Sequence, residues 1–199
     1  MTFVIATHNA HKLIELERIL RPLGITAVTD RDLGKELPEV EETGTTFAEN
    51  AYLKAAAACA FTGLPAIADD SGLCVDALHG EPGVYSARYT GRHEDSDEDR
   101  RELVLRKMEG CTERSARFVC ALCCLFPNGD EIVSEQTMEG SILYEARGQG
   151  GFGYDPIFLP EGCDRSNAEL SPEEKNAISH RGKALRDFVM KWEKYYVNQ

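Results

Sequence analysis

No apolar run in these 199 residues is long enough to cross a bilayer, for which a helix needs about 20 apolar residues in succession. Positive charge is also scarce: 22 Lys and Arg face 34 Asp and Glu, a formal net charge of −12. That balance argues against a broad nucleic-acid surface, which depends on basic patches, but leaves room for a small polyanion met by a cation and a local cluster of basic side chains. Linkers and low-complexity tracts are missing, so a single domain over residues 1–199 is expected, at roughly 100–200 residues per domain. The opening Thr2-Phe3-Val4-Ile5-Ala6 has no basic n-region and no apolar h-region, and the expected location is cytoplasmic. Seven cysteines, an odd number, are scattered or sit within apolar runs, which suits reduced core thiols better than a disulfide framework. Cys120 and Cys123 form C-x-x-C inside the strand-like stretch Arg117 to Phe126, where a three-residue spacing puts them on opposite faces. The Gly-rich Walker loop and the nucleophile elbow are likewise missing, so neither a P-loop nor a triad of Ser71 or Ser179 with His180 is supported.

What is present centres on acids. Ala68-Asp69-Asp70-Ser71-Gly72-Leu73 places two adjacent carboxylates where the apolar run Leu64 to Ala68 stops, which reads as a strand end followed by turn chemistry. Such carboxylates either cap a turn or hold a hard cation, and magnesium needs few of them because it keeps positions for water and phosphate oxygens. A second patch, Glu39-Val40-Glu41-Glu42-Thr43-Gly44, precedes the capping box Thr46 to Glu49 and an alanine-rich helix to about Ala60, ending near Gly63. That helix joins the two patches, and its return could bring Glu41 near Asp70.

Phe3 to Ala6 reads as a buried strand, and Leu13, Leu16, Leu20 and Leu23 keep helical spacing up to Gly24. Between them lies Thr7-His8-Asn9-Ala10-His11-Lys12, a strand-to-helix junction with free backbone N–H groups, the positive end of a helix dipole and the Lys12 charge. Either it binds an anion, or Asn9 simply caps the helix. Ser96 caps another helix start, within Asp95 to Asp99. Phe118 to Phe126, a turn at 127–130, and Glu131 to Thr137 read as an antiparallel hairpin, making the sheet mixed. Gly148 to Gly153 satisfies G-x-G-x-x-G, but the extended Pro156-Ile157-Phe158 follows where a dinucleotide site requires a helix. A glycine-rich loop carrying Phe152 and Tyr154 instead suits close approach to a flat ligand. Ser171, Pro172 and Glu174 start a further helix, and Gly182 is expected to break it so that Ser179-His180-Arg181 forms a turn.

In this order and spacing, Thr7-x-Asn9-x-x-Lys12, Glu41-Glu42-Thr43-Gly44, Phe47-x-Glu49-Asn50-Ala51, the Asp69-Asp70 segment, Pro82 to Tyr89, Gly151 to Pro156 and Ser179-His180-Arg181-Gly182 resemble the inosine triphosphate pyrophosphatase family. Its members are also described as non-canonical purine nucleoside triphosphate pyrophosphatases or XTP/dITP diphosphatases. His8 stands where many bacterial relatives carry glycine. The resemblance implies an α/β fold, a long twisted mixed sheet with flanking helices and two lobes around a central cleft, assembled as a homodimer. It implies hydrolysis of ITP, dITP and XTP to the monophosphate and pyrophosphate, which clears deaminated purines from the nucleotide pool. Glu41 and Asp70 would hold Mg2+, Asp70 would be the base, and Asp69 a supporting or alternative acid. Thr7, His8, Asn9, Ala10, His11 and Lys12 would cradle the triphosphate, with Lys175 beside it, and Ser71, Gly153 and Tyr154 would also bind the substrate. Phe152 would stack on the purine, with Asp155, Ser179, His180 and Arg181 around its edge. The alternatives are a related pyrophosphatase acting on other modified triphosphates, or a non-catalytic nucleotide-binding regulator.

Overall fold

Short apolar segments alternate with helices, and the computed structural model describes residues 2–7, 9–21, 25–34, 36–92 and 95–197. The elements in chain order are β1 Thr2–Ile5, α1 Ala10–Leu20, β2 Thr26–Val28, α2 Asp30–Leu33, α3 Phe47–Thr62, β3 Ala66–Val75, α4 Asp97–Lys107, β4 Ser115–Leu125, β5 Glu131–Ile142, β6 Phe158–Pro160, α5 Pro172–Ile178 and α6 His180–Val197. Among the described residues, one sheet carries six strands in the order β2-β1-β3-β4-β5-β6. β1 pairs parallel with β2 and β3, and β5 pairs antiparallel with β6, so the sheet is mixed as expected.

The chain divides into two compact units, one of residues 1–70, 120–136 and 181–199 and the other of residues 71–119 and 137–180. In the first, α1, α6 and the sheet bury Phe3, Ile5, Leu16, Leu20, Leu122 and Phe188 together. Phe3 meets Phe126, Phe188 and Trp192 edge-on, the arrangement that aromatic quadrupoles favour. On α6, Ala184, Leu185, Phe188 and Val189 are buried at helical spacing. The second unit has its own core, built on Leu73, Val75, Met108, Phe118, Ile157 and Phe158.

α3 shows how local chemistry places the site. Thr46 accepts from the Glu49 backbone N–H and Glu49 reaches back to the Thr46 N–H, closing the capping box. Gly63, at φ 69°, ends the helix in the left-handed conformation that glycine tolerates. The small residues Ala51, Ala55, Ala58 and Cys59 form the buried face. We expect Thr46→Ala to cost about 1 kcal/mol, read as a lower urea midpoint at unchanged m.

Three readings of the sequence are revised. β3 does not stop at Ala68: it runs through Asp69, Asp70, Ser71 and Gly72 to Val75, because Asp69 and Asp70 find partners on either side of the strand and need no turn. The helix break falls at Ser179, whose ψ of 152° is extended, and not at Gly182, which is buried inside α6. Pro156 lies in a 3-10 turn, Asp155–Ile157, before the extended β6 begins. Of the helix expected to reach Leu23 and Gly24, α1 covers Ala10–Leu20, and Leu23 and Gly24 lie outside the described residues.

Candidate active site

Adjacent residues of a strand point to opposite faces, and the two acids of β3 divide their partners accordingly. Asp69 is buried, with Lys12 Nζ of α1 at 3.1 Å and Arg181 Nε of α6 at 3.3 Å from its Oδ2. Arg181 is itself buried and its Nη1 also pairs with Glu15 of α1. The thiol of Cys120 lies 3.9 Å from the same Asp69 oxygen. Burial opposes ionisation of Asp69, but Lys12, Arg181 and Lys54 outweigh it and hold the carboxyl far below the usual aspartate range. Asp69 is therefore an anchored anion. The thiols of Cys120 and Cys123 are pushed up to about 12, chiefly by burial, so neither is available as a thiolate nucleophile.

Asp70 faces α3. Asn50 Nδ2 donates to its Oδ2 at 3.1 Å, and Lys54 Nζ lies 3.6 Å from Oδ1 and 2.8 Å from Glu42 Oε1. Burial raises the Asp70 pKa and Glu42 adds to the rise, while Lys54 and Lys12 oppose it. A carboxylate poised to take a proton is what general-base work requires. Asn50 also accepts from the Gly44 N–H at 2.8 Å, tying the second acidic patch to the same helix. Any side chain at Gly44 would collide with Asn50 Oδ1, 2.6 Å from its Cβ position. Within this group the acid sharing Lys54 with Asp70 is Glu42, whereas Glu41 is exposed.

At the α1 junction, Thr7 Oγ1 accepts from the Asn9 N–H, and Asn9 Oδ1 accepts from the Lys12 N–H, so Asn9 does cap the helix. Lys12 meanwhile sends its ammonium to Asp69. Ala10 and His11 occupy the first turn of α1 by their backbone; their side chains, and His8 altogether, lie outside the described residues.

The second unit holds the aromatic group. Asp155 is buried, and its Oδ2 accepts from the Phe152 N–H at 2.9 Å and from Lys175 Nζ at 2.8 Å. Lys175 stands 4.8 Å over the Phe152 ring, a cation–π contact, so the structure joins Lys175 to Phe152 and Asp155. His180 stacks on Phe118 at 4.9 Å, and Ser179 is buried beside it in sequence. Ser71 lies within β3, half-buried. Tyr154 is a core residue whose hydroxyl donates to Ser86 O at 2.8 Å, and the Gly153 backbone is taken up by Asp97 and Arg101.

Sequence reading missed Glu15 and Lys54 as members of the acid cluster. Both were visible as periodicity: Glu15 follows Lys12 by three residues and Lys54 follows Asn50 by four, one helix face in each case.

A family model described as the Ham1 family matches residues 3–191. The chain is 51% identical over 189 residues to a dITP/XTP pyrophosphatase of Streptomyces avermitilis, covering 94% of each chain. It is 52% identical over 186 residues to a dITP/XTP pyrophosphatase of an Exiguobacterium species, again covering 94% of each. The solved structure of a HAM1 protein from Coxiella burnetii superposes with a TM-score of 0.88 at 42% identity, over 98% of this chain and 99% of that one.

Proposed function

The chain belongs to the Ham1 family, and from that premise we propose that it is a nucleoside triphosphate pyrophosphatase acting on dITP, XTP and ITP. The observation that carries the reading is Asp70, a carboxylate of raised pKa held by Asn50 and Lys54 beside Glu42. Water adds to the α-phosphorus and gives its proton to the Asp70 carboxylate. The bond from that phosphorus to the α–β bridging oxygen breaks, the electron pair leaves with pyrophosphate, and the nucleoside monophosphate remains.

Asp70 and Glu42, which share the Lys54 ammonium, with Glu41 just before Glu42, would supply the oxygens for a magnesium ion, although no group of three or more such side chains gathers for a metal among the described residues. Hard oxygen ligands few in number are what magnesium takes. When bound, the ion supplies neutralisation of phosphate charge and a lowered pKa for bound water. Lys12 and the N–H groups opening α1 bind the phosphates. Phe152 stacks on the purine, with Asp155, Lys175, Ser179 and His180 forming its pocket. Arg181, anchored by Asp69 and Glu15, has donors only; it suits a 6-oxo group and meets a 6-amino group donor to donor.

No helix among the described residues is long and apolar enough to cross a membrane. A cytoplasmic homodimer that cleanses the nucleotide pool completes the proposal.

The test is pyrophosphate release from dITP, XTP, GTP and ATP at equal concentration, with and without magnesium. We expect magnesium-dependent turnover of dITP and XTP at least about a hundredfold above ATP. Binding without turnover would point to a regulator, and turnover confined to other modified triphosphates would change the substrate class.

A further inference from the structure

We propose that Asn167 is a positioning residue of the purine pocket: by donating its side-chain N–H to Asp155 Oδ1 it orients that carboxylate so that Oδ2 holds Phe152 and Lys175. The inference rests on the purine-pocket reading above. Asn167 lies outside every motif quoted for the family resemblance, in the segment between β6 and α5.

Four observations support it. Asn167 is 1% exposed, its backbone N–H donates to Phe158 O at 2.8 Å, and its Nδ2 lies 2.6 Å from Asp155 Oδ1. The two oxygens of Asp155 thus have separate duties, Oδ1 for Asn167 and Oδ2 for the Phe152 N–H and the Lys175 ammonium. The orientation of the amide is settled by chemistry, since reversing it would set two oxygens together, and Asn167 Oδ1 has no hydrogen-bond partner among the described residues. The side chain is held by its donor end, at the expense of a buried acceptor. Finally, the loop lies hard against the oriented oxygen: a Cβ at Gly151 would come within 2.1 Å of Asp155 Oδ2.

Without the Asn167 donor, the Lys175 ammonium competes for both carboxylate oxygens. Rotation of the carboxylate then draws Oδ2 away from the Phe152 N–H, and the ring that stacks on the base loses its fixed position. Such a change weakens binding of the base equally in the ground state and the transition state, so it enters KM and spares kcat.

The test compares steady-state kinetics on dITP and XTP for wild type, Asn167→Leu, Asn167→Asp and Phe152→Ala. Asn167→Leu keeps the shape but has no donor, and is expected to raise KM about tenfold with kcat within about twofold. Asn167→Asp places two carboxylates together. Its KM is expected to rise at least as far as that of Asn167→Leu, because a carboxylate offers Asp155 no donor and repels it. A KM ratio that stays near one for both Asn167 variants, or a loss of kcat at unchanged KM, overturns the proposal. If those ratios are flat while Phe152→Ala raises KM, only the role of Asn167 falls. If Phe152→Ala also leaves KM unchanged, the purine pocket itself is misplaced and the inference falls with it.

Discussion

Asp70→Asn is expected to lower the rate of pyrophosphate release by a factor on the order of 10³, within the range that a positioned general base contributes. The amide fills the same space and can still face Asn50 and Lys54, but it cannot take a proton from water. Because the wild-type carboxyl has a raised pKa, the sign of the stability effect is also fixed. The folded state binds the Asp70 proton more tightly than the unfolded chain does, so the ionised side chain works against folding at neutral pH. Asp70→Asn should therefore melt at the same temperature as wild type or higher while losing activity. In wild type, kcat/KM should rise with pH as Asp70 ionises, with the acidic limb above the ordinary aspartate range near about 3.9, and the variant should lack that limb. A variant retaining a tenth or more of the activity would remove Asp70 as the base.

Asp69→Asn should act in the opposite way, on stability first. It strips the buried anion from between Lys12 and Arg181, and removing one partner of a buried ion pair costs about 3–5 kcal/mol. The lower end is expected, since Glu15 stays with Arg181. The pKa of Asp69 is depressed on folding, so its stabilisation is complete above the unfolded value of about 3.9 and is lost as pH falls below it. The gap in unfolding free energy between wild type and variant should be constant near neutral pH and shrink below about pH 4. A gap under about 1 kcal/mol at neutral pH would show that the triad of Lys12, Asp69 and Arg181 behaves like an exposed pair.

Taken together, these two substitutions separate adjacent residues that look interchangeable in the sequence. Asp69 and Asp70 carry the same side chain, and the pattern Asp-Asp-Ser-Gly suggests a turn. Only pairing with neighbouring strands and three helices makes the segment part of a ten-residue strand, with one acid facing α1 and α6 and the other facing α3. The capping signals fared differently. Thr46, Ser96 and Ser171 each start the helix that a hydroxyl followed by an acid three residues later announces, because those bonds close within four residues. The break expected at Gly182 moved to Ser179 because a buried glycine is tolerated inside a packed helix, and propensity is a weak prior against tertiary contact.

Lys175 is an instructive case. The resemblance set it beside the triphosphate, and the fold buries it over Phe152 and against Asp155. Asn167 gave no signal at all, since a lone asparagine in a loop has no periodicity and its partner is twelve residues earlier on another segment. Lys54 and Glu15 were legible in principle, by helical spacing from residues already singled out.

By itself the sequence determined the α/β class, the helix starts, the Asp69-Asp70 pair and the family pattern, all of which depend on local bonding or on the order of residues along the chain. The tertiary structure alone decided which acid is ionised and anchored, which is poised to accept a proton, and which cation serves which carboxylate. Those properties depend on burial and on charges brought within a few ångströms from distant parts of the chain, and no local pattern encodes them.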